Sequence, residues 1–252
     1  MIRNSMRLLI AAMIFALVAP ALAAEPEVTG AGTVRLDDMT FRLDGINAPD
    51  IDQMCLDPKG ALWPCGVEAR DRLNAFVQRR TVRCDDKGPD PAFKQRRIGV
   101  CSVEGEAATL NQWAVREGWA MKRDGDAKDA TKGALAAEEA DARDNRRGLW
   151  AGCFADPDDV RRWNVGGRLF GAACQAGHDN RTRDKLFRVD SPMPTGCRIK
   201  GKLALRAHIA GYLGIYHMPG CRSYRALKRA QRWFCSEEDA QAEGFRKALT
   251  CL

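Results

Sequence analysis

Past residue 24, this 252-residue chain has no apolar run long enough to cross a bilayer, no internal repeat and no low-complexity tract. The first absence excludes a multi-span helical membrane protein, because a helical span needs about 20 apolar residues. The second excludes solenoids and propellers, which show themselves as a fixed sequence period. The third leaves no compositionally biased tract that would stay unfolded for want of a core. The length suffices for one large domain or two small ones.

The first 24 residues, "MIRNSMRLLIAAMIFALVAPALAA", join a basic start (Arg3, Arg7) to an apolar run from Leu8 to Val18. They close on Ala21-Leu22-Ala23, a small-x-small signal. The pattern predicts a signal peptide over 1–24, cut near Ala23. The expected address is periplasmic or secreted. The ten cysteines all follow that segment. In an oxidising compartment bridges are favoured over metal ligands. Spacing singles out two pairs of disulfide candidates: Cys55 with Cys65, bracketing "CLDPKGALWPC", and Cys84 with Cys101, in successive strand-like runs.

The formal charge of +7 is unevenly spread. Residues 25–159 carry 20 basic against 26 acidic side chains, a net −6, and residues 160–252 carry 18 against 7, a net +11. A basic surface is the usual footprint of polyanion binding, and here it falls on the C-terminal part.

"GTVRLDDMTFRLDGI" alternates apolar and polar residues about "DDM" and reads as a β-hairpin. "CGVEARDRLNAFVQRR" places Val67, Leu73, Phe76 and Val77 at helical spacing. "TVRCDD" and "RIGVCSV" read as strands. "ATLNQWAVREGW" and "TKGALAAEEADARDNRRGLW" read as amphipathic helices ended by Gly118 and Gly148. A small barrel with packed helices fits this order. Residues 156–196, with "DPDDVRR", "GAACQAGHDNRTRD" and "DSPMPTG", read as a linker. A compact unit follows over 197–252.

The pieces "GTVRL", "FRLDGINAPD", "QMC…CGVEARDRL", "RRIGVCSVEG…LNQWAVREGWA" and "AEEADARDNRRGLWAGCF" stand in an order that resembles the staphylococcal nuclease (thermonuclease) family. The resemblance implies a mainly β, α+β fold: a five-stranded OB-type barrel with three helices over 25–155. Members of that family that cleave DNA and RNA use calcium, two arginines and a carboxylate. The logic is electrostatic. Hydrolysis adds negative charge to the phosphate oxygens, and guanidinium groups and a divalent ion stabilise it. The carboxylate activates water.

Carried over residue by residue, Arg42 matches the first arginine and Arg96 the second, with Arg97 as the neighbouring register. These two are the catalytic and anion-binding candidates. Asp50 stands where the family has its glutamate base, one methylene short. Two calcium ligands are blunted: "GAGT" puts Gly30 and Gly32 where the family's loop has aspartates, the second of them a ligand, and Asn47 replaces the turn aspartate, the other ligand. Asn47 is left as a weak metal candidate. A hard cation that prefers about six to eight oxygens would then have few charged ligands. Asp44 and Asp52 are the acids near enough to lend a replacement carboxylate.

The C-terminal unit, with "IKG", "IYHMPG" and "RWFCSEEDA", resembles a small module appended to exported bacterial proteins. It reads as α+β, with a helix capped by Ser236. His217, Cys221, Cys235 and Cys251 form a loose one-His, three-Cys pattern, and export favours bridges over zinc. Its basic residues Lys200, Lys202, Arg206, Arg222, Arg225, Lys228, Arg229 and Arg232 point to an anionic partner, nucleic acid or a cell-envelope component. The expectation is an exported thermonuclease-like protein whose calcium motif is degraded, with a binding or envelope-associated role and no resident cofactor. One alternative is a secreted divalent-metal-dependent phosphodiesterase acting on DNA or RNA, for which calcium would be required; another is an intramolecular partnership in which the acidic barrel and the basic tail hold each other.

Overall fold

The computed structural model describes residues 25–123, 130–174, 180–189 and 191–251. The signal peptide expected over 1–24 lies outside the described residues. The chain is mixed α+β, with seven α-helices among the described residues.

The first sheet has five strands in the order Glu27–Gly30, Thr33–Leu36, Met39–Leu43, Arg97–Val103, Val82–Pro89. Neighbours are antiparallel except Met39–Leu43 and Arg97–Val103, which run parallel. A parallel pair needs a crossover, and helix α1, Cys65–Val77, lies within it. α1 buries Ala69, Leu73 and Val77 against Val34, Phe41, Leu43 and Val103. At the parallel seam a Cβ on Gly99 would meet Phe41 Cδ1 at 2.8 Å, so glycine there lets the aromatic ring lie on the neighbouring strand.

Helix α2, Leu110–Arg116, starts with a capping box: Thr109 accepts from the Gln112 amide while the Gln112 side chain accepts from the Thr109 amide. This satisfies two orphan donors at once. Its buried Asn111 clamps the sheet. The side chain donates to the carbonyls of Asp44 and Gly99 and accepts from the Cys101 amide. That fixes the exit of Met39–Leu43, where the turn of the site begins. Helix α3, Ala130–Asp144, buries Leu135 and Ala142.

Residues 156–196, the linker of the sequence reading, hold helix α4 (Pro157–Arg161), a short strand at Leu169–Phe170 and helix α5 (Asn180–Leu186). Asp156 caps α4 by accepting from the Asp158 amide, and Pro157 occupies the first turn, where its missing N–H costs nothing. Val160, Leu186 and Phe187 pack with Leu56, Cys153 and Ala155.

The C-terminal unit is a four-stranded sheet in the order Arg232–Phe234, Ile199–Leu203, Gly214–His217, Phe245–Lys247. Helix α6, Leu205–His208, and helix α7, Glu237–Ala242, accompany it. Ser236 caps α7 in a second capping box with Asp239. Ile199, Tyr216, Phe234, Ala240 and Phe245 form the core.

All ten cysteines are paired: Cys55–Cys65, Cys84–Cys101, Cys153–Cys174, Cys197–Cys235 and Cys221–Cys251. The last two bridges use three of the four groups of the loose zinc pattern, and His217 Nδ1 bonds the Ser223 hydroxyl instead. Five bridges fit an oxidising, extracytoplasmic setting. Among the described residues no helix is long and apolar enough to cross a membrane.

Candidate functional site

The turn 44–50 opens at the end of a sheet strand. Gly45 has φ +72 and Leu135 packs on it, so the reversal needs a residue without a Cβ. Beyond the turn lies a cleft of about 380 Å³ between the first sheet and the C-terminal unit. Its lining includes Gly32, Arg42, Asp50, Arg96, Arg123 and Arg161, together with Arg232, Trp233 and Glu243 from the C-terminal unit.

Arg42 and Arg96 are brought together on one carboxylate. Arg42 Nε donates to Asp90 Oδ2 at 3.0 Å and Arg96 Nε donates to the same oxygen at 2.8 Å. Asp90 is 1% exposed, and its Oδ1 accepts from the Ala92 amide. Burial pushes the Asp90 carboxyl up, but Arg96, the amide bond and Arg42 outweigh it and hold it below the usual range. Two guanidinium groups facing one carboxylate leave a surplus positive charge on this wall. Arg97 stands apart and pairs with Asp86, so Arg96 is the arginine beside Arg42.

Asp50 has both oxygens engaged. Oδ1 accepts from Arg161 Nε and Nη2 at 3.0 and 2.9 Å, and Oδ2 accepts from Arg232 Nη2 at 2.8 Å. Burial raises its carboxyl, yet the two guanidinium groups prevail and hold it low. Asn47 is equally committed. Its Nδ2 donates to Asp156 Oδ1 at 2.9 Å and its Oδ1 accepts from Arg161 Nη1 at 2.7 Å. Asp52 accepts from Arg232 and from the Trp233 amide, so this acid serves a structural pair. Asp44 is tied through its backbone: its carbonyl accepts from Asn111 and its amide donates to the Gly99 carbonyl.

Other charges respond to the crowding. Burial and the Asp50 charge push Glu243 up, despite Arg161 and Arg232. Burial lowers Arg123, and Arg161 and Arg42 add to that against the pull of Asp158. Arg161 is held high: burial works against its charge, but Asp50, Glu243 and Asp158 overcome it.

The residues do not fit a calcium ion. Among the described residues no group of three or more His, Cys, Asp or Glu side chains is arranged to hold a metal. Gly32 offers no side-chain ligand, and a Cβ there would press on Ala48 Cβ at 3.1 Å. The oxygens of Asn47 and Asp50 already bind guanidinium.

Arg161, Arg232 and Glu243 escape the sequence reading. Arg161 had one local signal, the Asp156-Pro157 helix start that places it at the end of α4. Arg232 was counted among the basic surface residues; it is 1% exposed and points into the molecule, because Asp50 and Asp52 neutralise it there.

The five-stranded sheet, with its crossover helix α1, carries the arginine pair Arg42 and Arg96 into the cleft. Residues 40–152, somewhat under half of the chain, match the family described as staphylococcal nuclease homologue, a nuclease-type domain. The chain is 33% identical over 112 residues to the "Succinoglycan biosynthesis protein ExoI" of Rhizobium meliloti (strain 1021). The match takes in 42% of this chain and 57% of that protein, so it spans little more than half of the relative.

Proposed function

We propose that this chain is an exported staphylococcal nuclease-type protein that binds an anionic ligand without cleaving it. Its first domain is an OB-type barrel over 25–155, and the unit 197–252 covers its site. One observation carries the reading: both oxygens of Asp50 are held in ion pairs. A general base needs an oxygen free to draw a proton from the water it activates, and both Asp50 oxygens are instead neutralised by guanidinium groups, which lowers their basicity. The surplus charge of Arg42 and Arg96 over Asp90 supports an anion-binding cleft. A relative named for biosynthesis, not for nuclease action, is in keeping with this role. The basic C-terminal unit would meet nucleic acid or an envelope polymer, and no calcium would be needed.

The second reading, a divalent-dependent phosphodiesterase, has Arg42 and Arg96 lining the cleft in its favour. The deciding experiment incubates oxidised protein with single-stranded DNA and RNA in calcium, magnesium, manganese or chelator. No cleavage is expected under any condition. Divalent-dependent cleavage that Arg42→Ala abolishes would establish the second reading instead.

A further inference from the structure

The Arg161 guanidinium sits in a cage of oxygens. Nη1 donates to Asn47 Oδ1 and to Asp158 Oδ1, each at 2.7 Å. Nη2 donates to the Ala48 carbonyl at 2.7 Å and to Asp50 Oδ1 at 2.9 Å. Nε donates to Asp50 Oδ1 at 3.0 Å and lies 3.1 Å from Glu243 Oε2. A guanidinium has five N–H donors in a fixed plane, and these contacts use all five. The side chain is 16% exposed.

Two of those oxygens belong to Asn47 and Asp50, the positions that the family resemblance assigns to a calcium ligand and to the base. We propose that Arg161 is a tethered cation standing where the family's site holds a divalent ion. It keeps the turn 47–50 closed without metal.

The departures from the family pattern then share one cause. Asp158 and Glu243, from elsewhere in the chain, bring their own carboxylates to this guanidinium, so positions 32 and 47 need not carry charge to balance it. Gly32 and Asn47 are the two formal charges given up. Asn47 also has a positive reason. Its amide donates to Asp156, the cap of the helix that delivers Arg161. An aspartate at 47 would set two carboxylates against each other at that contact, and like charges so close cannot both ionise cheaply. Arg161 and Asn47 therefore belong together: one supplies the cation and the other ties down its helix.

The proposal deepens the non-cleaving reading, but its test uses binding and stability. Thermal unfolding of the oxidised full chain is followed with calcium chloride, with sodium chloride at matched ionic strength, and with chelator. Terbium luminescence reports direct occupancy. The wild type is expected to melt at one temperature in all three and to give no terbium signal. Arg161→Ala is expected to melt lower and to be rescued by calcium or by methylguanidinium, but not by sodium. A site of about 0.1 mM in 10 mM calcium would regain about 5–10 °C. Arg161→Lys keeps the charge and is expected to take no calcium.

Calcium-specific stabilisation of the wild type would overturn the proposal, and this arm needs no variant to fold. Failure of both calcium and methylguanidinium to rescue a folded Arg161→Ala would overturn it too. Cleavage by a wild type that gains nothing from calcium would sink the non-cleaving reading and leave this one standing.

Discussion

Arg232 Nη2 donates to Asp50 Oδ2 at 2.8 Å across a sequence separation of 182 residues. The same guanidinium holds Asp52 through Nε at 2.9 Å. One side chain of the C-terminal unit thus neutralises two acids of the nuclease-type domain. Paired, the cluster contributes little net stability, because desolvation offsets attraction. Broken, it leaves charge buried without a partner.

Arg232→Ala is therefore expected to cost about 3–5 kcal/mol. Asp52, 4% exposed on its side chain, would keep only the Trp233 amide as a donor. Urea unfolding reads the loss. A cost under about 1 kcal/mol, the level of a surface pair, would show that the two units do not depend on this contact.

The arginines on Asp90 should behave unequally. The Arg96 side chain is 9% exposed and that of Arg42 is 22% exposed. Arg96→Ala removes the more buried partner and is expected to destabilise by about 2–4 kcal/mol, against about 1 for Arg42→Ala. Both variants should weaken binding of inorganic phosphate or a short oligonucleotide, measured calorimetrically. The ordering of the two stability losses is the check on the geometry.

The pH dependence has two opposed parts. Asp50 and Asp90 are held below their ordinary values. Their contribution is present above the unfolded carboxyl value, about 4, and is lost as pH falls through the folded values. Glu243 is pushed up, so its folded form binds the proton more tightly. Its contribution is present below the unfolded glutamate value and is lost as pH rises through the folded one. Urea midpoints across the acid range should fall steeply at the low end, and less steeply in Asp90→Asn. Glu243→Gln should flatten the decline on the upper side. An unchanged profile in both variants would contradict the electrostatics of the cleft.

Gly66 tests the backing of the site. A Cβ there would lie 1.7 Å from the Asp50 carbonyl oxygen. Gly66→Ala is expected to displace the turn and cost about 2–4 kcal/mol, with chemical-shift changes centred on residues 47–52. A mild effect confined to α1 would show that the turn is free to move.

Local chemistry was legible in the sequence. The hairpin about Asp37, the strands around Cys84 and Cys101, the helices over 65–77 and 110–116, and the Ser236 cap all depend on neighbours close in the chain. The cysteines 55 and 65, and 84 and 101, are near enough in sequence for spacing to single them out. The site's own residues could be placed by resemblance, but their partners could not. Arg161 lies 111 residues from Asp50, and Glu243 reaches Arg161 from the C-terminal unit. A basic residue in a polar stretch carries no mark of burial, because charge alone predicts solvent. What reversed that expectation was a set of distant acids, which periodicity and turn signals do not report.

The five disulfides each close a loop within one part of the chain, and none joins the C-terminal unit to the first sheet. Oxidation can therefore finish inside each part independently. The seam between them includes the ion pairs of Arg232, Asp50, Asp52, Arg161 and Glu243, and of Arg35 with Glu238, so it depends on proton and salt balance, not on thiol chemistry. During synthesis Asp50 emerges long before Arg232, so the cleft closes late, after the acids have waited in water. A chain stopped short of Arg232 would carry its covalent staples over 55–174 and still leave Asp52 without its counter-charge, while Asp50 kept Arg161 alone.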